Sequence, residues 1–196
     1  VTELQPRDAT AWFNLAESLH RAARLDDAIA ADRKALELDP NLTVARVNLA
    51  RALAEKGLTG EAKELLMAAA QAAPLDPATH YNLGVLLLRE GNIPGAIGAF
   101  ERTLQLEPHS SQAHNNLGVA LDWKDDVDGA RREFLAATRD DPRSAEAWFN
   151  LGLSYFRTGD NLRANQAFAR AQSINPSASA PYIQLGQLYL KQGKRT

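Results

Sequence analysis

Cysteine is absent from the 196 residues, which excludes disulfides, thiolate metal sites and cysteine nucleophiles. An excess of positive charge is also missing, because 22 basic residues stand against 24 acidic ones. A general nucleic-acid or anionic-membrane role is therefore disfavoured. No apolar run approaches the roughly 18 residues that a membrane span needs. The chain opens on Val1 without a leader pattern, so we expect a piece of a longer protein; its compartment stays open, with the cytoplasm as the default.

Prolines recur with a fixed spacing of 34 residues, at Pro6, Pro40, Pro74, Pro108, Pro142 and Pro176. Leucines keep the same period at Leu15, Leu49, Leu83, Leu117, Leu151 and Leu185. A column of small residues does so at Ala16, Ala50, Gly84, Gly118, Gly152 and Gly186. Such a period is the signature of a repeat architecture, in which each unit stacks on its neighbours.

Each repeat is predicted to form two helices. In the first repeat, the spacing i, i+3, i+4, i+7 of an amphipathic helix is occupied by Trp12, Leu15, Ala16 and Leu19. We name this helix A. A turn follows, and the residues placed to cap the next helix, helix B, are Asn92, Asp126 and Asp160. Pro94 falls in the first turn of a helix B, where its missing N–H has no consequence.

The pattern resembles the tetratricopeptide repeat, whose motif is an aromatic residue followed by Leu-Gly, Tyr, Ala, Phe, Ala and Pro at these spacings. The fifth repeat carries the whole set, Trp148, Leu151, Gly152, Tyr155, Ala164, Phe168, Ala171 and Pro176. The resemblance implies an all-α fold, a right-handed α-solenoid of stacked antiparallel helix pairs. The departures from the motif are Arg46, His80 and His114 for the first aromatic residue, Asp32 for a bulky helix-B residue and Asp125 for the turn glycine.

The period divides the chain into five full repeats, which we expect at residues 9–42, 43–76, 77–110, 111–144 and 145–178. Residues 1–8 are expected to be the tail of a preceding repeat. Residues 179–196 are expected to be helix A of a sixth, truncated repeat, with a polar capping helix as the alternative.

An asparagine stands at the same place in every full repeat, as Asn14, Asn48, Asn82, Asn116 and Asn150. An amide offers a donor and an acceptor together, so such a column can pair with the backbone of an extended peptide. It is similar to the asparagine ladder of the nucleocytoplasmic O-linked N-acetylglucosamine transferases. A structural bond to a neighbouring helix is the equally weighted alternative.

A second stripe on helix A, which the resemblance places on the concave side of the solenoid, becomes apolar in the later repeats. Its members there are Tyr81, Val85, Leu88, Val119, Phe149, Leu153 and Phe156. Helices that are apolar on both faces are either buried or present a binding surface. We predict a groove, with packing between neighbouring A helices as the even alternative for Tyr81 and Phe149.

Two further residues of this stripe are candidates for ligand contact. Trp123 stands in a column of cations, either as an interface anchor or lying over the turn at Asp125 and Asp126. Asp122 is an acid within the apolar stretch and is a candidate for selecting a basic or hydroxyl group. The lysines and arginine of the co-chaperone carboxylate clamp are replaced by Phe13, Val47, Tyr81, Ala78 and Asn82, so an acidic tail is not the ligand expected from the sequence.

Catalytic, cofactor and metal motifs are not found in the sequence. His80 and His114 share a column, but successive A helices should be about 10 Å apart, and packing is the favoured interpretation. The sequence therefore predicts a non-catalytic interaction scaffold that binds an extended, partly apolar peptide. The alternatives are a substrate-recruiting arm of a larger enzyme, such as a glycosyltransferase, and a structural scaffold of a secretion or envelope complex that self-associates through truncated ends.

Overall fold

The computed structural model describes residues 7–176. This part of the chain forms ten α-helices and no strand, which confirms the predicted all-α helical-repeat solenoid. The A helices have 13 residues each: α1 (Ala9–Arg21), α3 (Thr43–Glu55), α5 (Pro77–Arg89), α7 (Ser111–Trp123) and α9 (Ala145–Arg157). The B helices have 14 residues each: α2 (Leu25–Leu38), α4 (Thr59–Ala72), α6 (Ile93–Leu106), α8 (Val127–Asp140) and α10 (Asn161–Ile174).

Two compact units divide the chain, Val1–Gly91 and Asn92–Thr196. In the first unit each of α1 to α5 packs on the next helix, and α1 contacts α3 as α3 contacts α5. In the second unit α6 to α10 pack in the same consecutive manner, and α7 contacts α9. The A helices of each unit therefore lie side by side. The expected tail within 1–6 and the expected sixth A helix at 179–196 lie outside the described residues.

The predicted caps of the B helices are confirmed. The side chains of Asn92, Asp126 and Asp160 accept hydrogen bonds from the backbone N–H groups of Gly95, Gly129 and Arg163. Pro94 lies in the first turn of α6.

The turn between helices A and B requires a left-handed backbone. Gly57, Gly91 and Gly159 have φ values of 82°, 76° and 79° there. The two turns without a glycine adopt the same conformation through Ala23 at 58° and Asp125 at 68°. The replacement of glycine by Asp125 therefore leaves the turn unchanged in form, although an L side chain strains it.

The core pairs small residues of the A helices with large residues of the B helices. A Cβ added to Gly118 would lie 2.6 Å from the Phe134 ring, and one added to Gly152 would lie 2.5 Å from the Phe168 ring. In the first unit Ala50 shares a buried cluster with the smaller Leu66. Alanine is tolerated where the partner is leucine, because the shorter side chain leaves room for the methyl group.

The first-aromatic column shares a hydrogen bond rather than a ring. Each of its members in α3, α5, α7 and α9 reaches the backbone carbonyl of the proline six residues earlier. The pairs are Arg46 with Pro40, His80 with Pro74, His114 with Pro108 and Trp148 with Pro142. These side chains differ in shape but each offers an N–H donor, which ties the start of helix A to the preceding turn.

Candidate functional site

The asparagine column occupies different environments along the chain. Asn14 is exposed on α1, whereas Asn48 on α3 is only 7% exposed. Asn82 donates to the carbonyl oxygen of Ala78 in its own helix at 2.8 Å. Asn150 donates to Asn115 of α7 at 3.0 Å, and Asn116 is half-buried on α7. Asn48 and Asn150 therefore make the structural bonds that the alternative reading describes, while Asn82 bonds only within its helix.

A buried chain of polar groups leads from α2 to the surface of α3. Asp32 is fully buried, and its Oδ2 accepts a hydrogen bond from the Asn48 amide at 3.0 Å. The amide oxygen of Asn48 accepts in turn from the Arg51 guanidinium at 2.5 Å. Asp32 thus fixes which way the Asn48 amide points, and Asn48 holds the exposed Arg51 in place.

Burial raises the pKa of the Asp32 carboxyl from 3.8 to about 7, because the charged form loses its hydration. The hydrogen bond from Asn48 and the positive charge of Arg51 act in the opposite direction and lower this pKa. The Oδ1 atom of Asp32 has no hydrogen-bond partner within residues 7–176. A carboxyl in this position is neutral for much of the time near pH 7.

Two neighbouring depressions lie along the A helices of the first unit. Depression 1 has a volume of about 210 Å³, and its lining includes Phe13, Val44, Val47, Asn48, Arg51 and Asn82. Depression 2 has a volume of about 180 Å³, and its lining includes Ala54, Tyr81, Val85, Arg51, Asn82 and Arg89. Arg51 and Asn82 line both depressions, so the two form one continuous surface across α1, α3 and α5. We call it the A face of the first unit.

The acidic groups on this face are already engaged. Glu17 pairs with Arg21 at 2.6 Å, and Glu55 contacts His20 at 3.0 Å. Asp76 caps α5 and accepts from the backbone N–H of Thr79 at 3.0 Å. These carboxylates line the two depressions, and their partners offset much of their negative charge.

The arginines on this face have no such partners. Arg51 bonds to the neutral amide of Asn48, and in the described part of the chain neither Arg51 nor Arg89 forms an ion pair with a carboxylate. Most other cations of the first unit do form one; examples are the pairs Arg33 with Glu61 and Lys63 with Glu90. Uncompensated positive charge in the first unit is therefore found where the two depressions meet and in depression 2.

The predicted polar residues of the second unit bond to one another. The amide of Asn115 donates to Glu146 at 3.0 Å and its oxygen accepts from Asn150, which links α7 to α9. Asp122, which we expected to be a candidate for ligand selection, is paired with Arg157, and Arg157 also reaches Asp125 at 2.6 Å. This acid is thus engaged by the neighbouring A helix.

The apolar stripe of the second unit is half-buried. Phe149, Leu153 and Phe156 of α9 pack against the buried cluster of Ala164 and Phe168, with the rings of Phe149 and Phe168 5.5 Å apart. Val119 of α7 packs against the cluster that contains Phe134. Each of these side chains has one side in a core and the other accessible to solvent.

Other members of the predicted stripe are placed as follows. Trp123 is the last residue of α7 and is 62% exposed. In the first unit, Tyr81, Val85 and Leu88 of α5 are half-buried, and the first two line depression 2.

The sequence interpretation gave Arg51 and Arg89 no binding role, and treated Asp32 only as a departure from the motif. An acid in a column that otherwise holds Leu66, Phe100, Phe134 and Phe168 is a usable signal, since a buried carboxyl requires polar partners. Asn48 and Arg51 follow it at 16 and 19 residues, but only the fold shows that α2 and α3 bring them together. Within residues 7–176, no group of three or more acidic or histidine side chains is arranged to hold a metal ion. In the same range, no helix is long and apolar enough to span a membrane.

The sequence matches the tetratricopeptide repeat family at residues 1–42, 47–108 and 124–179, and a second description of this repeat at 87–151. Since the matches extend over more than half of the chain, the protein belongs to the tetratricopeptide repeat family. No curated protein matches the sequence.

Among solved structures, the chain is similar to YrrB, described as a TPR protein with an unusual peptide-binding site. The two are 25% identical with a TM-score of 0.69, over 100% of this chain and 96% of that one. PilF of Pseudomonas aeruginosa is 19% identical with a TM-score of 0.81, over 85% of this chain and 76% of that one. MamA 41-end of Desulfovibrio magneticus RS-1 is 20% identical with a TM-score of 0.74, over 86% and 96%. The last two likenesses show the fold alone, whereas the family and the likeness to YrrB together support a protein-interaction scaffold with protein or peptide partners.

Proposed function

We propose that the chain is a non-catalytic interaction module that binds an extended, partly apolar peptide along its A helices. The observation that carries the proposal is the A face of the first unit, where depressions 1 and 2 are continuous through Arg51 and Asn82. A continuous surface suits an extended segment, since neither depression encloses a compact ligand.

The lining of this face matches what such a segment presents. Apolar walls from Phe13, Val47 and Val85 can receive side chains of the peptide, and Asn82 offers an amide that can pair with its backbone. Asn82 spends its Nδ2 group on a carbonyl of its own helix, so its Oδ1 is the atom we assign to a peptide N–H.

The proposal extends to the second unit in a weaker form. Its half-buried apolar residues Val119, Phe149, Leu153 and Phe156, together with the exposed Trp123, offer contact area on α7 and α9. The proposal includes the division into repeats at 9–42, 43–76, 77–110, 111–144 and 145–178, because each repeat would contribute one A helix to the binding surface.

A selection from a random-peptide display library tests the proposal, carried out on the wild-type chain and on Asn82→Ala. We expect extended peptides with spaced apolar residues to be enriched on the wild type, and their binding to weaken on Asn82→Ala without a change in the melting temperature. The matched control is Asn165→Ala, since Asn165 is exposed on the B helix α10. Failure to enrich any peptide, or equal losses in both variants, would count against the A face as the binding site.

A further inference from the structure

The charges of the A face point to one particular feature of its ligand. The carboxylates that line depressions 1 and 2 are held by His20, Arg21 and Thr79. Arg51 and Arg89 have no carboxylate partner in the described part of the chain, although both line depression 2. An arginine offers five N–H donors in a planar fork, and a carboxylate accepts two of them at once.

Arg51 is also the better positioned of the two. Its guanidinium is bonded to the oxygen of Asn48, whose own orientation is set by the bond to buried Asp32. A side chain that is held in place before the ligand arrives loses less conformational entropy on binding.

We infer that the peptide bound on the A face of the first unit carries an acidic side chain between two apolar ones, and that Arg51 and Arg89 bind this carboxylate. The inference rests on the proposed function and specifies its ligand. Arg51 lines both depressions, so the acid lies in the middle of the bound segment. Phe13 and Val47 of depression 1 then take the apolar residue on one side, and Tyr81 and Val85 of depression 2 take the one on the other.

The position of Arg51 also decides between two sources of a carboxylate. A free C-terminus would place the anion at one end of the peptide, with a single depression occupied. An aspartate or glutamate side chain places it at the centre and leaves both depressions available. The structure therefore favours the acidic side chain.

The test uses capped peptide pools with randomised apolar positions on either side of a central residue. One pool carries Glu at the centre and an amidated C-terminus, a second carries Gln with the same ends, and a third carries Gln with a free C-terminal carboxylate. We expect the Glu pool to bind about tenfold more tightly than the amidated Gln pool in fluorescence anisotropy, as a desolvated charge pair provides.

Two double variants locate the effect. In Arg51→Gln with Arg89→Gln, the preference for Glu over Gln should disappear while the affinity for the Gln pool stays the same. In the matched control, Arg33→Gln with Lys63→Gln, the same charge is removed from the B helices α2 and α4, and the preference should persist.

The outcomes separate the inference from the proposed function. Equal affinity for the Glu and Gln pools would overturn the inference and leave peptide binding intact. Tighter binding of the pool with the free C-terminus would overturn the assignment of a side chain as the source. Absence of binding by all three pools would overturn the proposed function and the inference with it.

Discussion

The indole Nε1–H of Trp148 donates to the backbone carbonyl oxygen of Pro142 at 3.1 Å. His80 and His114 reach the carbonyls of Pro74 and Pro108 at 3.0 and 3.1 Å through Nε2. A carbonyl can only accept, so Nε2 carries the proton in both histidines. The column that resembled a degenerate aromatic position is thus a column of N–H donors, and the 34-residue proline column supplies the acceptors.

Trp148→Phe should therefore destabilise the chain although it keeps an aromatic ring. The Pro142 carbonyl loses its donor, and we expect a loss of about 1 kcal/mol in the free energy of unfolding, measured by urea denaturation. The control is Trp123→Phe, because Trp123 is exposed and should be insensitive to the change. Equal effects at the two positions would show that ring volume, and not the hydrogen bond, is what matters at Trp148.

Gly118→Ala should destabilise the second unit, because the new Cβ would lie 2.6 Å from the Phe134 ring. We expect a cost of about 1–3 kcal/mol, and a smaller effect when Phe134→Leu is introduced together with it. The double variant reproduces the pairing of Ala50 with Leu66 in the first unit. A double-mutant cycle by thermal denaturation measures the coupling between the two positions.

The control for that cycle is Gly98→Ala. A Cβ at Gly98 meets no atom within 4 Å, and alanine in a helix should raise stability by about 0.5–1 kcal/mol. If the changes at positions 118 and 134 were simply additive, the account of the small-residue column would be wrong.

The fold was predictable from the sequence because a period of 34 residues constrains every helix at once. The A helices begin at Ala9, Thr43, Pro77, Ser111 and Ala145, in step with that period. The caps at Asn92, Asp126 and Asp160 were predictable as well, since capping is local in sequence and depends on the side chain and the next few backbone N–H groups.

The candidate site was predictable only in part. A column shows that Asn14, Asn48 and Asn82 occupy equivalent places, but their side-chain environments depend on which residues the neighbouring helices bring to them. Asn48 is drawn into the core by Asp32 of α2, while Asn14 stays exposed. Whether an amide faces a ligand or a buried acid is a tertiary property, which the period does not contain.

Ala23→Gly should stabilise the first unit. Ala23 has a φ of 58° in the turn between α1 and α2, where an L side chain costs roughly 1–2 kcal/mol and glycine costs little. We expect a gain of about 1 kcal/mol, measured as an increase in the urea midpoint at constant slope. Ala22→Gly is the matched control, because Ala22 has a φ of −84° and should gain nothing.

Asp32 should make stability depend on pH. Its pKa is about 7 in the folded chain against an ordinary value of 3.8, so the folded state holds a proton that the unfolded state releases. The free energy of unfolding should therefore decrease as the pH rises from about 4 to 7 and level off above pH 7. Among the described residues, the charged group that acts on this carboxyl is Arg51 of α3.

Asp32→Asn isolates that contribution, because an amide is neutral throughout this range. We expect its melting temperature to decrease less than that of the wild type between pH 4 and 7, with a difference that grows towards pH 7. Parallel melting curves for the two chains would show that Asp32 titrates normally.

Photo-cross-linking at Tyr81 tests the central claim most directly. The photoreactive residue p-benzoylphenylalanine is placed at position 81, which lines depression 2, or at position 67, which is exposed on the B helix α4. The probe is the pool of peptides selected from a random library on the wild-type chain. The account predicts strong cross-linking from position 81 and little from position 67. The reverse, or equal yields from both positions, would contradict a peptide-binding site on the A face of the first unit.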